Sequence, residues 1–516
     1  MCYASIQMAN QKEEQTKINA IIPGVFDVYE SLKSPDGQGL YTSNGRFYNH
    51  TIFARDVASA ARFVGAFEHG TARDIIKTLI AYQGTENRRR TQEQPGRIHH
   101  EFRDFSQWRA QLGDRLIVLA ASKIWGAKHG KMLTYYACDS SASFVRAIHR
   151  HVRDIDPAFL DQKYTDKLGQ EISVQQSIEL AAQWIMDQVD REGRFMVQRS
   201  PHTLPYQTLQ DSVTAYAWAD GRPVNYRRPH SFVEAQSFNA SALENISHLL
   251  AGKSSRVNAY KETAHHMRRT LLRDYWDSDK HFFTSVLSQR GGVIKPLDVP
   301  NISAGWALNA SWWSEVPVEE RREKVSAVVG RLFSDEFLTL VGMRTRSKYS
   351  PEPLGDIVDY HGSQTIWPMF NFMVIEGLVL HRLYNLAAEL ENRIVNGVNA
   401  IGEFSEFLIV TKQDEFCQPI KDVRLPLLQV QMIPEKDIAF TIVPLMTIAR
   451  GRVYEPSLPP PEDWQRDIET AVLSRLEKTP LYAPSEVAER LRPRRVYLTR
   501  TGAAMRSITH MMKVKK

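Results

Sequence analysis

Cysteine is scarce in this sequence. Its three cysteines, Cys2, Cys138 and Cys417, stand far apart with no CxxC spacing. That excludes a disulfide-built scaffold and a cysteine metal site, and it is the usage expected of a reducing compartment. Long apolar runs are also missing. Nothing approaches about eighteen consecutive apolar residues, so no membrane partner and no membrane-spanning helix are expected. The opening stretch MCYASIQMANQKEEQTK has neither a basic start nor an apolar core, so a secretory signal is not expected and the cytoplasm is the expected location. No GxGxxG or phosphate-loop pattern occurs, so no nucleotide and no other cofactor is expected. His99-His100-Glu101 lacks the HExxH spacing that would put two histidines on one helix face, so no metal site is read there. Strand-like alternation of apolar and polar residues is sparse throughout.

A hydrophobic content of 43% and an aromatic content of 10% over 516 residues suit a folded chain with a sizeable core. The net charge of +6 is unevenly spread: 13 Lys and Arg face 8 Asp and Glu from residue 451 onward, leaving the first 450 residues near neutrality. The basic charge therefore belongs to a tail and not to an active-site surface, and no nucleic-acid partner is expected. PSLPPPEDW (456–464) reads as a linker into that tail. The expected organisation is one domain over residues 1–455, with 1–16 as a loose arm, and an extension over 456–516.

The dominant rhythm is helical. ARDVASAARFVGAF places Val57, Ala60, Ala61 and Val64 on one face. Similar patterns recur to give twelve helices, from residues 17–33, with a kink expected at Pro23, to a last one expected to start at Pro434. Every second helix opens on a polar or aromatic signature and then turns strongly apolar: ARD (54–56), CDS (138–140), EAQ (234–236), NIS (301–303), HGSQTIWP (361–368) and PEKD (434–437). Alternating buried and amphipathic helices predict an all-α (α/α)6 barrel, an inner ring within an outer one. Every inner N-terminus, with its free N–H groups, would then face the same end. A solenoid of helix pairs would need more even repeats.

One connection stands out. Residues 201–241 hold two carboxylates, Asp211 and Glu234, among prolines, tyrosines and a tryptophan. A connection of this length is either functional or disordered, and its aromatics argue for function.

Five segments in order resemble the glycogen-debranching type of amylo-α-1,6-glucosidase and, more distantly, glucoamylases: YNHTIFARDVA (48–58), AYQGTENRRRTQEQPGRIHHEFR (81–103), TYYACDSSASFV (134–145), YQTLQDSVTAYAWADGRP…SFVEAQ (206–236), and GMRTRS…HGSQTIWP with EFSEF (342–368, 403–407). The resemblance implies a six-hairpin (α/α)6 barrel acting on an α-glucan substrate with inversion. Departures fall beside the carboxylates: Leu209-Gln210 stands where the family has Trp-Lys, Ser405 where it has Pro, and two residues are added within HGSQTIWP.

Glycoside hydrolysis requires one carboxyl to protonate the leaving oxygen and a second to activate water, held about 6.5–9.5 Å apart in inverting enzymes. The resemblance implies Asp211 as the acid and Glu406 as the base. By residue type alone Asp211 also serves as an N-cap before SVTAYAW, and Glu403 is as good a carboxylate as Glu406. Arg55 and Asp56 read either as a helix-opening ion pair or as a clamp on sugar hydroxyls, and Glu234 and Gln236 form a similar polar pair. The resemblance further implies substrate contacts at His100, Glu101 and Asp139, and Trp367 beside Pro368 offers a stacking face. Trp306, Trp312 and Trp313 fit a helical core as readily as a ligand platform. Two other readings stand beside debranching: an exo-glycosidase of the same fold on another sugar, trehalase-like or mannosyl-glycerate-type, and a catalytically silent carbohydrate-binding or scaffold protein. Oligomeric state is not legible.

Overall fold

The computed structural model describes residues 13–45, 48, 50–105, 126–127, 130–197, 204–353, 358–419, 434–453, 458–476 and 480–492. Twelve helices form six outer–inner pairs in chain order. The outer members are α1 (Val25–Leu32), α3 (His69–Ala81), α5 (Val174–Asp187), α7 (Val257–Thr270), α9 (Val318–Leu332) and α11 (Tyr384–Ile401). The inner members are α2 (Ala54–Val64), α4 (Ser140–Asp154), α6 (Val233–Leu249), α8 (Ser303–Trp306), α10 (Pro368–Leu380) and α12 (Ala439–Val453).

The inner helices pack neighbour on neighbour, α2 to α4 to α6 to α8 to α10 to α12 and back to α2, closing the ring of an (α/α)6 barrel. Sequence pattern explains the layering. Every residue of α6 from Val233 to Ser247 is buried, as is α10 from Pro368 to Ile375. A helix without a polar face belongs inside. The outer α5 and α7 keep one exposed side, and α5 is started by a reciprocal capping box between Ser173 and Gln176.

Three expected boundaries shift. The first helix is interrupted at Pro23-Gly24, not merely kinked: residues 13–21 and α1 flank a Gly24 with φ 77°, a left-handed conformation glycine adopts without steric cost. The helix expected over 303–313 is a four-residue α8 and then a short 3-10 turn at Ser311–Glu315. At Gly305 a Cβ would meet Leu332 Cδ1 at 2.7 Å and Val374 Cγ2 at 3.0 Å, so α8 is squeezed between α9 and α10. The last helix starts at Ala439, not Pro434, because Glu435 and Lys436 pair with the 405–406 segment.

Short strands, unexpected from the pattern, gather just before alternate inner helices. β1 (Thr51–Phe53), β2 (Glu101–Asp104) and β3 (Lys131–Thr134) form one antiparallel sheet leading into α2. β4 (His230–Phe232), β5 (Val286–Arg290) and β6 (Val293–Pro296) lead into α6. β7 (Thr365–Ile366), β8 (Leu408–Val410) and β9 (Phe416–Cys417) lead into α10. They rim the barrel at its inner N-terminal end. Beyond the ring, α13 (Asp463–Leu473) packs on α9 and α11, and α14 (Pro484–Glu489) on α11. This part of the extension is a strap along the outer layer. The apolar run 116–125, residues 1–12 of the arm and the basic tail after 492 lie outside the described residues.

Candidate active site

The first turns of the inner helices deliver the polar signatures to one place. Arg55 and Asp56 open α2, both buried, with Arg55 Nε donating to Asp56 Oδ1 at 3.2 Å. Asp139 caps α4. Its carboxylate lies 3.8 Å from Arg55 Nη1, and among the described residues neither of its oxygens accepts a hydrogen bond within normal distance. Burial raises both aspartates against the pull of Arg55, Asp56 to about 6. The aspartates in turn hold the Arg55 guanidinium charge firmly despite its burial.

Asp211 hangs from the long connection between α5 and α6. The loop is fixed by Gln210, whose amide exchanges two 2.8 Å hydrogen bonds with Asn301, and by His361 Nδ1, 2.9 Å from Ser212 Oγ. Asp211 itself is half-buried and has no side-chain hydrogen bond with another residue among those described. Burial raises its carboxyl from 3.8 to about 7, opposed by Arg55 and reinforced by the charges of Asp56 and Asp139.

Glu406 comes from the turn after α11. Glu435 donates its backbone N–H to Oε2 at 3.0 Å, and the Tyr360 hydroxyl donates a short bond to Oε1. The chain is locked there because Glu406 N–H returns a 2.8 Å bond to the Glu435 carbonyl. Burial pushes Glu406 to about 8, against those two donors. The charges of both Asp211 and Glu406 act on Tyr48 and Tyr360, pushing each phenol well above its ordinary value after burial has done so. Tyr360 thus contacts Glu406 directly, and the charges of Asp211 and Glu406, separated by 195 positions, both reach Tyr48 and Tyr360.

Burial raises Glu406 above Asp211 even against its two donors, yet the hydrogen-bond geometry around Glu406 suits an ionised carboxylate. A backbone N–H only donates, and Tyr360 keeps its proton, so both Glu406 oxygens are occupied as acceptors and the ionised form is the one accommodated. Asp211 has a free edge on which to carry a proton. Glu403 differs from its neighbour: it is engaged by Lys436 Nζ at 2.7 Å.

The remaining expected residues separate. His100 sits just before β2, buried, with its ring 5.2 Å from Phe53; burial and Arg55 pull its pKa well below the ordinary value, so it is neutral. Glu101 pairs with Arg103 within β2, Nη2 at 2.6 Å. Trp367 caps α10 and stacks on both His361 and Phe370, with centroids at 5.2 and 4.8 Å, its indole N–H donating to the Tyr360 carbonyl at 3.1 Å. Glu234 opens α6, fully buried, accepting from Thr208 and from Tyr216 (3.3 Å), and is pushed by burial to about 7. Gln236 is not brought into the group. Its carbonyl accepts from Phe195 N–H (2.7 Å) and its amide donates to the Gly193 and Met267 carbonyls (2.7 and 2.8 Å), so its capacity is spent on tying the chain before α6 to α7. Trp306, Trp312 and Trp313 are core side chains; the last two stack at 4.7 Å. Sequence reasoning passed over Tyr48, Tyr360 and His361. Each stands inside or beside a quoted motif, and aromatic residues at the entrance of an inner helix were the available signal.

A mannosylglycerate hydrolase MGH1-like glycoside hydrolase domain matches residues 70–408. No curated protein sequence matches. Among solved structures, a GH63 mannosylglycerate hydrolase from Thermus thermophilus in complex with glucose is similar at TM-score 0.55 and 15% identity, covering 82% of this chain and 99% of that one. The same hydrolase with Tris and D-glycerate is similar at TM-score 0.53 and 13% identity, over 83% and 99%. A wild-type glycosidase is similar at TM-score 0.50 and 11% identity, over 85% and 97%.

Proposed function

Because the chain belongs to the mannosylglycerate hydrolase MGH1-like glycoside hydrolases, we propose that it is an inverting exo-glycosidase of mannosyl-glycerate type, with Asp211 as general acid and Glu406 as general base. The observation that carries the assignment is the pair of donors on Glu406, from Tyr360 and the Glu435 backbone, against none from another described residue on Asp211. Glu406 takes a proton from water as its oxygen attacks the anomeric carbon. Asp211 delivers its proton to the glycosidic oxygen as that bond breaks, and the sugar leaves with inverted configuration. Asp139, whose carboxylate oxygens accept no hydrogen bond within normal distance among the described residues, and the Arg55–Asp56 pair supply acceptors and donors for the hydroxyls of the terminal sugar.

The family match, to the MGH1 type, supports a small acidic aglycone over the α-1,6 branch of a glucan. The test is hexose release from mannosyl-glycerate, glucosyl-glycerate, trehalose and limit dextrin, with the first product followed by proton NMR. The expected result is turnover of a glycosyl-glycerate and release of the β-anomer from its α-linkage. Turnover of limit dextrin alone would restore the debranching reading, and first release of the α-anomer would exclude single displacement.

A further inference from the structure

The opposite end of the barrel holds a second cavity, of about 630 Å³, lined near the C-terminal ends of the inner helices. It lies roughly 20 Å from the entrance, the length of a fifteen-residue helix such as α4 at about 1.5 Å per residue. Its charge is one-sided. Arg62, Arg146, Arg150, Arg153 and Arg450 line it, and Glu376 and Glu391 are the carboxylates among its described lining residues.

The side chains are organised. Arg62 is bound by Glu376, Glu376 accepts from Asn309 Nδ2 at 2.9 Å, and Asn309 Oδ1 accepts from Arg146 Nη2 at 2.9 Å. One network thus joins α2, α10, the turn after α8, and α4. Arg62 and Arg150 both lie over the Phe63 ring, at 4.9 and 5.0 Å, and Arg146 lies over Phe238 at 4.8 Å. Arg153 and Arg150 share the carboxylate of Asp154, and Arg450 is paired with Glu14. Arg146 has no carboxylate partner among the described residues. Compensating the carbonyl ends of the helices explains basic residues in a last turn, such as Arg62 and Arg153. It does not explain Arg146, which stands about two turns inside α4. Burial and the neighbouring Arg62 pull the Arg146 guanidinium down to about 9, a charge its surroundings oppose. Phe63, Phe372 and Ile375 give the same cavity an apolar wall.

We propose that this cavity is a binding site for a small phosphomonoester, its phosphate held by Arg146 and Arg150 and its organic body resting on the apolar wall. A bidentate guanidinium pair is the arrangement a dianionic phosphate selects, and the volume is that of an ordinary small-molecule site. The proposal is independent of the substrate assigned to the entrance.

The probe is phenyl phosphate, titrated calorimetrically into the full chain, with phenol as the neutral control and Arg146→Gln and Arg150→Gln as variants. The expected result is one saturable site for phenyl phosphate and none for phenol, weakened about tenfold or more in each variant that melts as the wild type does. Arg150 is half-exposed, so its replacement keeps the test open if Arg146→Gln fails to fold. Absence of saturable binding, equal binding of phenol, or wild-type affinity in a folded variant would overturn the proposal.

Discussion

Asp211 and Glu406 are both lifted by burial, yet only Glu406 carries donors on each oxygen, and the proposed division of labour rests on that difference. Tyr360→Phe removes one donor while keeping the ring against Trp367 and Phe407. The expected loss in kcat is about tenfold, the size of one hydrogen bond to a charged group. Losing a donor to the carboxylate raises the Glu406 pKa further. The base must be ionised to work, so the acidic limb of the kcat/KM profile moves to higher pH, and a profile that stays in place would separate Tyr360 from the base. The proposed pairing of Asp211 with Glu406 rests, in the sequence, on motif order alone, since nothing in GEFSEF itself distinguishes Glu406 from Glu403. The ion pair of Lys436 with Glu403 supports Glu406 as the base. Gln236 shows the converse: a polar residue at an inner-helix start reads as a ligand contact, but three main-chain partners consume it, and such partners leave no trace in sequence.

At the level of elements, long periodic helices were legible because their apolar face repeats over several turns. The rim strands, of two to five residues, are too short to show a period of two, and the four-residue α8 is too short to show one of 3.6. The loop bearing Asp211 is held by contacts that period does not encode, above all the Gln210–Asn301 amide pair. Gln210→Ala leaves a buried Asn301 amide without its partner. It should cost about 1–3 kcal/mol of stability in denaturant melts and lower kcat more than it raises KM, because the acid is mispositioned. Gly305→Ala places a Cβ against Leu332 and Val374 and should destabilise by about 1–3 kcal/mol with kcat unchanged. A neutral result at Gly305 would mean that α8 has room to shift.

Across the whole molecule, closing the ring concentrates acidic groups at one end. Asp56, Asp211 and Glu234 are raised to about 6, 7 and 7. The native state therefore holds protons that the unfolded chain has already released, and stability falls as pH rises from about 5 to about 8. The buried His99, His100, His361 and His381 are pulled down, so folding also weakens as pH falls below their unfolded value of about 6.5. Thermal melts across pH 4–9 should peak near pH 6, and Glu234→Gln should gain stability relative to wild type as pH rises. A melting temperature flat from pH 5 to 8 would contradict the buried protons. The proposal that the same ring closure sets Asp211, after α5, opposite Glu406, after α11, is the central claim. Its most direct test is hydrolysis of the matching glycosyl fluoride, whose leaving group needs no proton, by Asp211→Asn and Glu406→Gln. The account predicts that Asp211→Asn loses about 10²–10⁴-fold on the natural glycoside but keeps near wild-type fluoride turnover, while Glu406→Gln loses both. Equal fluoride turnover by the two variants would contradict it.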